Sequence, residues 1–172
     1  ALDEAYGQLR ALLSQFRNRM DPMGLQQALT RLTGDFQNRT GIALDYRNRV
    51  KDLRLTVDQE AQVFFIVQEA LANVGRHSEA TQARLTIEGA GDHYVVTVDD
   101  NGRGGQGFFA IANRTGGFEE HPHLRDHFGL SIMRERARLI GGRVEVANLP
   151  SGGFRVRLTF PAVSPAGNRM TA

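Results

Sequence analysis

Two hydrophobic periods alternate along the 172-residue chain, and their order leaves few architectures open. Apolar residues at helical steps of three and four recur at Leu9, Leu12, Leu13, Phe16 and Met20, and again at Leu25, Ala28, Leu29, Leu32 and Phe36. Asp21-Pro22-Met23-Gly24 punctuates the two stripes. A period of two then takes over at Ile42, Leu44 and Tyr46 and predicts a short strand. The polar connector "NRVKDLRLTVD" leads, from Asp58, into a third helical stripe at Val63, Ile66, Val67, Ala70, Leu71 and Val74. Two alternating runs follow, Ala83-Leu85-Ile87 and Tyr94-Val96-Val98, with "GAGD" as a hairpin turn between them. From about Gly104 to His127 no period holds, a length that inside a compact domain signals a lid, a binding loop or disorder. Leu130, Met133, Ala137 and Ile140 restore the helical step, and Gly141-Gly142 stop it. The runs Val144–Val146 and Phe154–Phe160, joined by "NLPSGG", are the last strands. Helices that bury one stripe and strands that bury one face pack as an α+β sandwich, a mixed, mostly antiparallel sheet with helices on one face.

Composition excludes several other classes. Zero cysteines rule out a disulfide scaffold and a thiolate metal site, and they suit a reducing cytoplasm. No apolar run approaches the roughly 20 residues that span a bilayer. The 21 basic residues against 19 acidic ones leave a net charge of +2, and Lys51 is the single lysine. The arginines are scattered rather than gathered into a footprint, which argues against nucleic acid as a partner. The opening "ALDEAYGQLR", without an initiator Met, reads as a fragment of a longer protein.

Four short constellations carry chemistry. In "QEALANVGRHSEA", Glu69 and Asn73 lie four apart on one helix face, with Arg76 and His77 at its C-terminal end. Hydrated Mg²⁺ on a phosphate accepts one or two protein oxygens, an amide among them, and a nearby cation meets the phosphate itself. Taken alone, the same residues read first as a solvated helix face with a polar end, because such faces are common. In "DDNGRGG", a carboxylate at a strand end can take a hydrogen bond from an exocyclic amine, while Gly102 and Gly104 lack the Cβ that would keep a flat base away. Asn-Gly is also a strong turn dipeptide, but no second strand follows it at hairpin distance. Gly129 is expected at the start of a helix, where free N–H groups and the dipole favour phosphate. The glycines of "PSGGFRVRL" precede a strand and allow another close approach.

Together, E-x-x-x-N, D-x-G-x-G, a lid, G-L-x-x-M-R-E-R-A and S-G-G resemble the ATP-binding region of sensor histidine kinases, in the branch that pairs with NarL-type response regulators. "LDEAYGQLRALLSQFR" also resembles the second dimerisation helix of nitrate/nitrite sensor kinases of the NarX/NarQ kind. The resemblance implies a Bergerat-type (GHKL) fold over residues 41–162, a partial dimerisation segment over 1–40 and a flexible tail over 163–172. It implies ATP and Mg²⁺ as cofactors. Asp100 would bond the adenine amine, with Gly102 and Gly104 shaping that side of the pocket. Asn73 would hold Mg²⁺ through its side-chain oxygen, and Glu69 would orient water or the metal. Arg76 and His77 would lie near the phosphates, flanked by Gly129 and Leu130 at the far hinge of the lid. The full-length protein would be a homodimer, its membrane attachment lying in N-terminal regions outside this chain, and this part would be cytoplasmic.

Three departures from the family pattern stand out. Asp126 precedes His127-Phe128 where a Gly is common, Phe154 follows Gly153 where Thr is common, and the lid from Gly105 to Arg125 is long. The five histidines are His77, His93, His121, His123 and His127, none in the N-terminal helical region, so the phospho-acceptor helix lies elsewhere and autophosphorylation in cis is not expected. His121 and His123 have no third ligand placed to make a metal site. Two alternatives remain: a GHKL-type ATPase with Glu69 as general base, and a degenerate, non-enzymatic nucleotide-binding module.

Overall fold

The computed structural model describes residues 24–77, 79–104 and 124–163. The expected helix at Leu9–Met20, most of the lid, His121, His123 and the tail from 164 lie outside the described residues. The elements are α1 (Leu25–Thr40), β1 (Ala43–Asn48), α2 (Val57–His77), β2 (Gln82–Ala90), β3 (His93–Asp100), α3 (Leu124–Arg138), β4 (Arg143–Asn148) and β5 (Phe154–Pro161).

Their ends follow from local chemistry. α1 stops at Gly41, whose left-handed φ of 72° lets its N–H reach Gln37 O at 2.9 Å. α2 opens with a reciprocal cap: the Gln59 N–H donates to Thr56 Oγ1 at 3.1 Å, and the Thr56 N–H donates to Gln59 Oε1 at 3.0 Å. Asp58 and Glu60 in that first turn suit the positive end of the helix dipole. α3 closes with two overlapping bonds, Gly142 N–H to Ala137 O at 2.8 Å and Gly141 N–H to Arg138 O at 3.0 Å. Ile140, expected on the helix, lies just beyond it and is still buried.

The five strands run in the order β1-β2-β3-β5-β4. β1 pairs parallel to β2, and every other pair is antiparallel. A two-residue loop, Gly91-Asp92, joins β2 to β3, with Gly91 at φ 64°. Alternation gives the sheet two unlike faces. Ala83, Leu85, Ile87, Val96, Val98, Val156, Leu158 and Phe160 are buried in one core with Val63, Ile66, Val67 and Leu71 of α2. The opposite face carries charged pairs, including Arg49–Glu88 at 2.6 Å and Arg84–Asp45 at 3.4 Å. The mixed, mostly antiparallel sheet with helices on one face is therefore as expected from the sequence. Leu25, Leu29 and Phe36 of α1 belong to this same core, although the sequence groups residues up to 40 with the N-terminal helical segment.

Candidate nucleotide site

Asp100 ends β3 on the helix-facing side, in line with Val96 and Val98. It is 6% exposed, an acid in an otherwise apolar layer. Burial pushes its carboxyl above the ordinary aspartate value, backbone N–H groups of Gly102 and Phe154 hold it back, and the charge of Asp99 raises it further. The Gly102 N–H donates to Asp100 Oδ1 at 2.8 Å. The carboxylate is thus fixed by main chain rather than by other side chains.

The glycine boxes meet around it. A Cβ on Gly153, whose φ is 105°, would lie 1.9 Å from Asp100 O, so no other residue fits there without moving the backbone. A Cβ on Gly104 would lie 2.9 Å from Asn148 Oδ1 and 3.2 Å from Gly153 O. The glycines before β5, read in the sequence as admitting a ligand, instead let the β4–β5 turn close on the loop after Asp100.

Two residues that sequence reasoning missed anchor that loop. Asn101 Oδ1 accepts the N–H groups of Thr81 at 3.0 Å and Gln82 at 2.9 Å, and Asn101 Nδ2 donates to Thr81 Oγ1 at 3.0 Å. Arg103 forms a forked ion pair with Glu79, its Nε 2.6 Å from Glu79 Oε2. Glu79 follows closely on α2 and takes a left-handed φ of 51°. The loop after Asp100 is therefore tied to the chain that leaves the C-terminal end of α2. Asn-Gly signalled a turn, but nothing local in the sequence named its cross-strand partners.

On α2, helical spacing gathers three of the expected residues. Arg76 Nη2 donates to Glu69 Oε1 and to Asn73 Oδ1, each at 3.3 Å, and Arg76 Nε donates to Ala72 O at 3.3 Å. Two hard oxygens therefore converge on one point already taken by a cation. That donor set fits a hydrated Mg²⁺, which needs one or two protein oxygens. His77 is the last residue of α2. Among the described residues, no group of three or more His, Cys, Asp and Glu is placed to cage a metal.

The expected place of Gly129 is corrected. α3 begins at Leu124, so Gly129 is its sixth residue and not a helix start. The stretch from Leu124 to Phe128 holds neither Gly nor Pro, and the helix runs back through it. A Cβ on Gly129 would stand 2.5 Å from Glu69 Oε1, which makes the glycine a socket for that carboxylate. Leu130, expected beside the phosphates, is buried in the core at 7% exposure. About two turns further along α3 than Gly129, Arg136 lies 4.4 Å above the Phe65 ring and donates to Gln62 Oε1 at 3.1 Å. Burial lowers its pKa, and the charge of Glu69 opposes that shift. A cleft of about 490 Å³ lined by Ala90, His93, Gly141, Gly142, Arg143 and Thr159 lies at the other end of the sheet and contains none of the candidate residues.

This two-layer unit, with a buried acid at the end of β3 and an acid–amide–arginine cluster on α2, matches the family of histidine kinase-, DNA gyrase B- and HSP90-like ATPases. The model of that family matches residues 58–164, and the chain belongs to it. Within the family the chain is similar to sensor histidine kinases: it is 31% identical to the nitrate/nitrite sensor protein NarQ of Escherichia coli over 93% of this chain and 26% of that protein. It is 32% identical to the sensor protein NarQ homolog of Haemophilus influenzae over 94% of this chain and 26% of that one. The chain thus spans about a quarter of the length of these relatives. Among solved structures, the ATP binding domain of PrrB from Mycobacterium tuberculosis superposes with a TM-score of 0.57 at 26% identity, over 80% of this chain and 93% of that domain.

Proposed function

We propose that this chain is the ATP-binding catalytic domain of a two-component sensor histidine kinase. It would donate the γ-phosphoryl group of ATP to a histidine on a separate helix, for relay to a NarL-type response regulator. The observation that carries the reading is the buried Asp100 carboxylate, held by the Gly102 and Phe154 N–H groups at a strand end. An acceptor so fixed suits the exocyclic amine of adenine and disfavours guanine, whose corresponding position is a carbonyl. Gly102 brings no Cβ to that side of the pocket, and Gly104 shapes it by letting the loop close on Asn148 and the Gly153 carbonyl.

At the phosphate end, Asn73 would hold Mg²⁺ through Oδ1, with Glu69 orienting water or the ion beside it. The ion supplies charge neutralisation of the phosphates. Arg76, now donating to both Glu69 and Asn73, can turn to the phosphate oxygens, and His77 stands at the same helix end. Gly129 sets the position of Glu69 rather than touching phosphate. The transferred group needs an imidazole nucleophile in line, which the full-length dimer would supply from its phospho-acceptor helix. The segment ahead of Leu25 would contribute part of the dimerisation helix. Among the described residues no helix is long and apolar enough to cross a membrane. A membrane-anchored sensor would carry its span elsewhere, with this domain on the cytoplasmic side. The ATPase alternative is not favoured, because the relatives that match over 93% and 94% of this chain are sensor proteins.

Calorimetric titration of ADP and GDP with Mg²⁺ tests the base reading. The chain is expected to bind ADP and reject GDP, and Asp100→Asn is expected to weaken ADP at least about tenfold. Equal binding of both nucleotides, or an Asn variant that binds as well, would sink the assignment. Mixing the chain with a peptide helix bearing the family's acceptor histidine and labelled ATP should then yield phosphohistidine; steady ATP turnover without that helix would favour an ATPase.

A further inference from the structure

Asp99 and Asp100 are neighbours on β3, and strand alternation sends them to opposite faces of the sheet. Asp100 faces the helical layer. Asp99 faces the open side, where the register sets Arg155 of β5 directly across from it. The guanidinium closes on that carboxylate with both arms, Nε to Oδ1 at 2.7 Å and Nη2 to Oδ2 at 2.6 Å. The pair is partly buried, with the side chains 33% and 21% exposed. The residue before Arg155 is Phe154, whose own N–H serves Asp100. The first two residues of β5 therefore attend to both aspartates at once, one through main chain and one through a charge.

We propose that Arg155 is a positioning residue for nucleotide reading: by closing Asp99 into an ion pair, it keeps the adjacent Asp100 available as a charged hydrogen-bond acceptor. The inference rests on the reading of Asp100 as the adenine acceptor. A buried carboxylate beside a second, bare carboxylate is driven to take up a proton, and a protonated Asp100 meets the adenine amine poorly. Arg155 draws the Asp99 charge to itself on the far side of the sheet, so that less of it bears on Asp100, without touching the nucleotide.

The charges around the pair are few. Asp99 is the charged neighbour that acts on Asp100, and no charged group of the helical layer does so among the described residues. From β2, Arg84 stands opposite Asp99 but is drawn to Asp45 of β1 at 3.4 Å, and Ala83 stands opposite Asp100. Glu88 of β2 also acts on Arg155, and Arg157 of β5 is the next residue on the open face. Arg155 is the cation that closes on Asp99.

A cross-strand ion pair can also be no more than a tie between β3 and β5, and the two roles predict different pH behaviour. ADP affinity of the full chain, measured by calorimetry from pH 4.5 to 8, separates them, since the ionisation of ADP is common to all variants. In Arg155→Gln the acid limb should move up by about half a pH unit or more, a loss of about threefold on the acid side with little change at pH 8. Arg155→Lys keeps a cation there and should keep the limb near that of the parent. Adding Asp99→Asn to Arg155→Gln should bring the limb back, which a merely structural tie would not do. Asp99→Asn alone should move the limb down, and this arm stands even if Arg155→Gln fails to fold. An unmoved limb in Arg155→Gln or in Asp99→Asn, or a shift that Asp99→Asn does not reverse, overturns the role of Arg155. Failure of the parent chain to bind ADP at any pH overturns the reading of Asp100 itself.

Discussion

Asp100 shows what one residue gives up for function. Its folded-state carboxyl lies above the ordinary value of 3.8, so the fold disfavours its ionised form. For a raised acid the sign is opposite to that of a salt-bridged one: the cost is present in full above the folded value and vanishes below the unfolded one. Nucleotide-free Asp100→Asn is therefore expected to be more stable than the parent at pH 7.5, by about 1 kcal/mol, a common size for relief at an active site. The gain should shrink as pH falls toward 4.5. Thermal unfolding at the two pH values checks it, and a variant less stable than the parent at pH 7.5 would contradict it. D-x-G-x-G distinguished Asp100 from Asp99 in the sequence, because the motif spacing selects one of the two adjacent acids. Asn101 and Arg155 escaped notice for a shared reason. Their partners, Thr81 and Gln82 for one and Asp99 for the other, are 19 to 56 positions away, and only the sheet register brings them together.

Between elements, the instructive contact is the one between α2 and α3. Gly129 of α3 meets Glu69, and Arg136 meets Gln62 and Phe65, so later positions on α3 face earlier ones on α2 and the helices run antiparallel. Each apolar stripe was readable in the sequence because burial of one face repeats at 3.6 residues. The start of α3 was not, since a glycine at position 129 looks like a boundary until its neighbour is known. Inside a helix Gly costs about 1 kcal/mol relative to Ala, so propensity alone would favour Gly129→Ala. The added methyl would meet Glu69 Oε1 at 2.5 Å, and the carboxylate, at the end of a flexible side chain, would swing away from Arg76. The expected result is unchanged or slightly higher thermal stability, ADP affinity within about threefold, and phosphotransfer to an added acceptor helix down at least about tenfold. In a Glu69→Ala background the glycine change should cost little more, because the clash has gone. Full additivity of the two losses would show that Gly129 acts on something other than Glu69.

Across the whole molecule, the sheet separates two working faces. The helical side carries the core and Asp100, while the open side carries the ion pairs between strands, among them the one that attends to Asp99. The order of periods in the sequence was enough to predict these two layers, since a stripe and an alternating run can be satisfied together in few ways. It was not enough to say which layer claims α1. An amphipathic stripe states that a helix must pack, and not on what; residues 25–40 could have paired with a helix of another chain. In the structure Leu29 is 0% exposed and Phe36 is 1% exposed, both in the core with Leu71 and Leu85, although the family match begins only at residue 58. α1 should then be part of the cooperative unit. Leu29→Ala is expected to cost about 2–4 kcal/mol in urea unfolding of the whole chain, because a fully buried leucine leaves a cavity that its neighbours only partly fill. Removing residues 1–41 should do more, stripping Leu25, Leu29 and Phe36 from one side of α2, so that the remainder loses its sharp transition and its ADP binding together. A shortened chain that unfolds at the parent midpoint with the same steepness would show that α1 only rests on the domain.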